Sequence, residues 1–164
     1  MPNVISDSSC LIALDNIGMV FILKDLYEKI YITEEVYNEF GQCVEDWIEI
    51  KPVENKNYLV LLNQLVDLGE ASTIALSLEL TDSLMILDDK KARTVANHLN
   101  LKFTCLLGII LKAKQQEIIP CVSEVLNKLK LVNFRISKAI ENEVLRLANE
   151  NKFFKDNPNM NWGE

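Results

Sequence analysis

Leu84-Met85-Ile86-Leu87-Asp88-Asp89-Lys90-Lys91 changes character at its midpoint. Four apolar residues in a row read as a strand buried on both faces, the kind found in parallel sheets. From Lys90 onward, Ala92, Val95, Ala96 and Leu99 fall on one face of a helix. Asp88 and Asp89 therefore stand at the carboxyl end of a strand, where open α/β sheets place their ligands. Carboxylate oxygens are natural ligands for Mg²⁺ or Mn²⁺, so the pair suggests a metal site.

The same strand-then-helix alternation extends in both directions. Asn3-Val4-Ile5-Ser6 forms a first strand ending at Asp7, and a helix follows over residues 8–14 with Ser8 or Ser9 available as its cap. A second helix covers 20–27, Ile30-Tyr31-Ile32 is a second strand, and Thr33 caps a helix over 34–40 whose Glu34 and Glu35 suit its first turn. Residues 47–50 make a third strand, stopped by Pro52. Leu61, Leu62, Leu65 and Leu68 place a helix over 58–68, Gly69 interrupts it, and Glu70 leads another with Ala71, Ile74, Ala75 and Leu78 on one face. Residues 101–104 are a fifth strand, and helices at 106–116, 121–131 and 137–149 follow. This order predicts a mainly parallel sheet covered on both faces.

A chain of 164 residues with 49% hydrophobic content has enough apolar mass for one full core, so one domain is expected over 1–150. Asn and Asp become frequent beyond it, which predicts a flexible tail over 151–164. With 24 acidic and 17 basic residues the net charge is −7, which opposes passive binding of nucleic acid but not a metal-dependent nuclease, whose loaded site attracts phosphate. Cys10, Cys43, Cys105 and Cys121 lack metal-ligand spacing and read as small buried hydrophobes. The one histidine, His98, lies on a helix and leaves little material for a His-based triad or zinc site. Asp15 and Asn16 break the apolar stretch from Cys10 to Leu23, so neither a signal peptide nor a membrane span is expected, and a reducing cytoplasm is the simplest compartment.

Asp7, Glu39 and Glu70 occupy element boundaries comparable to that of Asp88 and Asp89. Each has a structural reading too: Asp7 as a helix cap, Glu70 as a partner of a helix dipole, Glu39 as an exposed acid, and the Asp pair as a solvated turn beside Lys90, Lys91 and Arg93. As a set they have the composition of a carboxylate cage for a hard divalent cation.

Four segments carry a family resemblance: Val4-Ile5-Ser6-Asp7-Ser8-Ser9, Tyr31-Ile32-Thr33-Glu34-Glu35-Val36-Tyr37-Asn38-Glu39, Leu68-Gly69-Glu70-Ala71 and Ile86-Leu87-Asp88-Asp89-Lys90-Lys91-Ala92-Arg93. In this order they resemble the successive acidic motifs of PIN domains, closest to a PIN-like prokaryotic branch related to the VapC toxins. The resemblance covers about residues 3–145 and takes in Leu107-Gly108-Ile109-Ile110-Leu111-Lys112-Ala113-Lys114. It implies a three-layer α/β/α sandwich with a sheet of about five strands and an endoribonuclease dependent on Mg²⁺ or Mn²⁺. Asp7, Glu39, Glu70 and one or both of Asp88 and Asp89 would be catalytic and hold the metal. Lys90 and Arg93, cations beside the acids, are candidates for substrate contact, as is Thr104 by its place in the family pattern. Cys105 and Leu106 replace the Gly-Thr of that branch's T-G-T-L-G stretch.

If the chain is a toxin, its implied partners are an RNA substrate and a small antitoxin blocking the acidic cleft, and the apolar helices between Leu106 and Leu147 offer either a homodimer interface or core. The competing expectation is a PIN-fold protein-binding module without catalysis. A phospho-receiver domain would carry its acidic pair after the first strand, and a haloacid-dehalogenase-like phosphatase would want an Asp where Ser9 stands.

Overall fold

The computed structural model describes residues 1–150, so the tail expected at 151–164 lies outside the described residues. The described chain forms two compact units, one over Met1–Ile109 and one beginning at Ile110.

The first unit is built on five parallel strands: β1 (Asn3–Ser6), β2 (Ile30–Thr33), β3 (Ile48–Lys51), β4 (Ser83–Ile86) and β5 (Lys102–Thr104). Between them run α1 (Ser8–Asn16), α2 (Phe21–Tyr27), α3 (Glu34–Phe40), α4 (Lys56–Leu62), α5 (Leu68–Glu79) and α6 (Lys90–His98). The order across the sheet is β3-β2-β1-β4-β5. Successive side chains of a strand point to opposite faces, and here both faces are covered: Val4 and Ile5, like Met85 and Ile86, are all buried. On one face Ile5 and Met85 join Leu59 and Leu62 of α4, Ala71, Ile74 and Ala75 of α5, and Ala92 and Ala96 of α6 in a single apolar core. The architecture is the expected α/β fold with a parallel five-stranded sheet.

The chain runs outward from β1 through β2 to β3, then returns to β1's other side and runs through β4 to β5. The reversal makes the carboxyl ends of β1 and β4 the topological switch point, the usual ligand crevice of an open α/β sheet. Ser6 lies beside Ile86 in the register, so the residues that leave the two strands there are neighbours.

Several local expectations are corrected. Of the capping readings for α1, that of Asp7 holds and those of Ser8 and Ser9 do not, because the Cys10 amide donates to Asp7. The helix expected over 58–68 ends at Leu62, the intervening turn reaches Asp67, and Gly69 lies inside the first turn of α5 rather than before it. Because the chain leaves helical geometry there, the leucine stripe is broken: Leu59, Leu62 and Val66 turn inward, whereas Leu61, Leu65 and Leu68 are 67%, 60% and 44% exposed. β4 is displaced by one residue, to Ser83–Ile86. Of the cysteines only Cys10 is buried; Cys43 is exposed and Cys105 and Cys121 are half-buried, all four free.

Helix α7 (Leu106–Gln115) starts in the first unit, and α8 (Val122–Leu131) and α9 (Lys138–Leu147) belong to the second. Cys121 stands at the N-cap of α8 without making a capping bond. Glu150 does that instead, accepting from the amides of Val122 at 2.6 Å and Ser123 at 2.9 Å, with Lys114 Nζ 3.5 Å away. Burial pushes the Glu150 carboxyl up, but those amides outweigh it and hold the group below its usual value. The stabilisation is therefore present above the ordinary carboxylate range and lost as pH falls through the folded-state value. Glu150→Ala is expected to cost about 1–2 kcal/mol at pH 7, the worth of a helix cap; an unchanged denaturation midpoint would contradict it.

Candidate metal centre

Asp7 is the first residue past β1, and it is 1% exposed. Its Oδ1 accepts from the Cys10 amide at 3.0 Å, and its Oδ2 faces the Asp88 amide at 3.3 Å. Burial lifts its carboxyl from 3.8 to about 7; the Cys10 and Asp88 amides pull it down, and the charges of Asp88 and Glu70 push it further up. A carboxylate at this place is thus both the cap of α1 and a strained charge beside other acids.

Asp88 and Asp89 diverge. Asp89 is exposed, and its Oδ2 caps α6 through the Ala92 amide at 2.9 Å. Asp88 turns inward: Oδ1 accepts from the Leu106 amide at 3.0 Å, while Oδ2 is buried with no hydrogen-bond partner among the described residues. Burial raises the Asp88 carboxyl, against the Leu106 amide and the charge of Arg93. An unpartnered buried carboxylate oxygen is costly, and native proteins tolerate one mainly where something else satisfies it.

Glu70 lies in the first turn of α5, half-buried, with its carboxyl raised first by burial and then by the charges of Asp67, Asp89 and Glu39. Glu39, in the last turn of α3, accepts a hydrogen bond from Ser8 Oγ through Oε2. Its carboxylate rests against Gly69, where an added Cβ would lie 2.7 Å from Oε2 and 2.8 Å from Oε1. Gly69 is therefore needed for close approach. Gly69→Ala is expected to leave α5 folded, since Ala is better in a helix by roughly 1 kcal/mol, but to displace the Glu39 carboxylate. A crystal structure of the variant with Glu39 unmoved would refute this.

The five acids thus come from four separate segments; the charges of Asp88 and Glu70 push the Asp7 carboxyl up, and those of Asp89 and Glu39 push the Glu70 carboxyl up. Among the described residues none of them forms an ion pair. Nor do any three acidic, His or Cys side chains among the described residues already close on one point as a metal cluster. The donor set fits a hard divalent cation: all-oxygen, net negative, with Asp88 Oδ2 unpartnered.

Around the acids, Arg93 is half-buried and close enough to Asp88 to lower its carboxyl, whereas Lys90 is exposed on the first turn of α6. Thr104 ends β5 with its hydroxyl against Gly108, where a Cβ would collide with it. The amide of Leu106, at the position departing from the T-G-T-L-G pattern, is taken up by Asp88. Tyr31 is flanked by Lys29 and Lys51 at 5.1 and 5.2 Å from its ring centre, and Trp47 donates to Glu45. Sequence reading missed Ser8 and Gly69 as supports of Glu39; their adjacency to Asp7 and Glu70 was the available signal.

A family model described as PIN domain matches residues 3–150. The chain belongs to the PIN-domain family. No curated protein and no solved structure matches it. PIN domains are generally nucleases, and this chain has their nuclease-type fold, with Asp7 and Asp88 meeting at the β1–β4 switch point of the sheet. No described helix is long and apolar enough to cross a membrane.

Proposed function

We propose that this PIN-domain protein is an endoribonuclease that works with Mg²⁺ or Mn²⁺. The observation that supports it best is the pairing of Asp7 and Asp88 across the switch point, with Asp88 Oδ2 buried and unpartnered. A cation bound there supplies an activated water and stabilises the charge that develops on phosphate and leaving oxygen.

The chain's own residues divide the remaining work. Asp7 and Asp88 would be the inner ligands: backbone amides hold both oxygens of Asp7 and Oδ1 of Asp88. Glu70 and Glu39 add negative charge from α5 and α3. Asp89, engaged as the cap of α6, is an outer member of the set. Arg93 has the planar fork that suits a phosphate oxygen pair, and Lys90 adds a cation at the entrance. Thr104 offers a hydroxyl at the end of β5. Hydrolysis would leave a 5′-phosphate and a 3′-hydroxyl.

The resemblance of the acidic motifs to a branch related to VapC toxins supports the biological setting we propose, a toxin–antitoxin pair in the cytoplasm with a small antitoxin as partner. Self-association is also proposed, through exposed Leu131, Ile140 and Leu147. One observation favours the other reading, an inactive protein-binding module: Val60, Leu61, Leu65 and Leu68 are exposed around α4 and the turn after it. Calorimetric titration with Mn²⁺, together with an RNA panel in Mg²⁺, Mn²⁺ and EDTA, separates the two. Metal binding with EDTA-sensitive cleavage is expected; neither binding nor cleavage would leave the binding module.

A further inference from the structure

We infer that Ser8 is a positioning residue that seats the Glu39 carboxylate at the acidic centre, an inference that rests on the metal-dependent reading of that centre. Glu39 is exposed in the last turn of a short helix, and a glutamate there has several rotatable bonds and a solvent-filled range of positions. Two features remove that freedom. Ser8 is 5% exposed and donates through Oγ to Glu39 Oε2. Gly69 leaves the space into which the carboxylate packs.

The hydroxyl of Ser8 is not spent on its own helix, because Asp7 already caps α1 through the Cys10 amide. Its bond to Glu39 is its sole hydrogen bond among the described residues. Asp7 and Ser8 are consecutive, so the segment that buries one acid also orients another: Asp7 by its own carboxylate, Glu39 through the Ser8 hydroxyl. Bonding at Oε2 leaves Oε1 of Glu39 with its acceptor capacity intact. The charge of Glu39 reaches Glu70, which in turn reaches Asp7, so the seated carboxylate belongs electrostatically to the centre.

The test uses the full chain with Ser8→Ala, Ser8→Thr, Glu39→Gln and the Ser8→Ala/Glu39→Gln pair. Two readouts are taken: Mn²⁺ affinity by calorimetry, and the Glu39 side-chain carboxyl resonance in ¹³C NMR of the metal-free protein. Ser8→Ala is expected to shift that resonance and weaken Mn²⁺ about 10-fold, the scale of losing a residue that orients a ligand. Ser8→Thr should restore both, and Ser8→Ala should add nothing in the Glu39→Gln background. An unmoved Glu39 resonance, or an equal loss in the Glu39→Gln background, overturns the positioning role. A shifted resonance in a protein whose wild type binds no Mn²⁺ overturns the metal reading and leaves the seating of Glu39 standing. Circular dichroism confirms that each variant is folded.

Discussion

Asp7→Asn is expected to make the metal-free protein more stable at pH 8 by about 2 kcal/mol while abolishing the metal-dependent RNA cleavage proposed for it. The folded-state carboxyl sits at about 7 against 3.8 when exposed, because burial penalises the charge and Asp88 and Glu70 repel it. A raised acid binds its proton more tightly folded than unfolded, so stability is full below pH 3.8 and falls as pH rises through about 7. The full shift corresponds to about 4 kcal/mol. Asn removes that charge and caps a helix as well as Asp does. It has one carbonyl oxygen for the two amides that Asp7 serves, and losing one such bond returns about 1–3 kcal/mol. Urea denaturation in EDTA at pH 5 and pH 8 measures the difference. Wild type should lose stability between the two and the variant much less; equal losses would sink the account. Mn²⁺ at pH 8 should stabilise wild type but not the variant, since an ion that binds only the folded state shifts the equilibrium towards it.

The second large effect separates the adjacent aspartates. Asp88→Asn is expected to reduce RNA cleavage at least about 100-fold, the upper end of what losing even a supporting residue costs a metal site. The Asn keeps an oxygen for the Leu106 amide but replaces the buried, unpartnered Oδ2 or its equivalent with a neutral group. Asp89→Asn should change the rate only several-fold, because Asn replaces Asp as the cap of α6 with little loss. Single-turnover rates at saturating Mn²⁺ give the comparison. Equal damage from the two variants, or greater damage from Asp89→Asn, would show that the inward-facing carboxylate is not the important one.

Much of the fold was legible because its signals are local. The apolar run before Asp88, the Thr33 cap and the helical spacing after Lys90 each act within a few residues; the cap and the helix appear where expected, and the strand lies one residue earlier. Errors arose where two local signals competed. Leu61, Leu65 and Leu68 keep helical spacing, but the chain turns after Leu62, so spacing alone put exposed leucines on a core face. Asp7, Ser8 and Ser9 were all legible as caps of α1, since all three residue types cap well; the structure gives the bond from the Cys10 amide to Asp7, which lies at the strand exit. The candidate site was legible as a list of acids and illegible as an arrangement, since whether a carboxylate caps, repels or faces inward depends on neighbours distant in sequence.

The sequence by itself determined that strands and helices alternate and that acids follow the strands, because periodicity, capping and residue chemistry are written residue by residue; the PIN family entered separately, through the resemblance of its four acidic segments to that family's motifs. Tertiary structure alone decided that β4 lies beside β1, which brings Asp88 to Asp7 across 81 positions of chain. It also decided that Asp88 turns in while Asp89 caps a helix, and that Ser8 and Gly69 seat Glu39. The physical reason is that strand order is fixed by packing both faces of the sheet at once, and the charge a site can hold is fixed by the burial and amides that this packing creates.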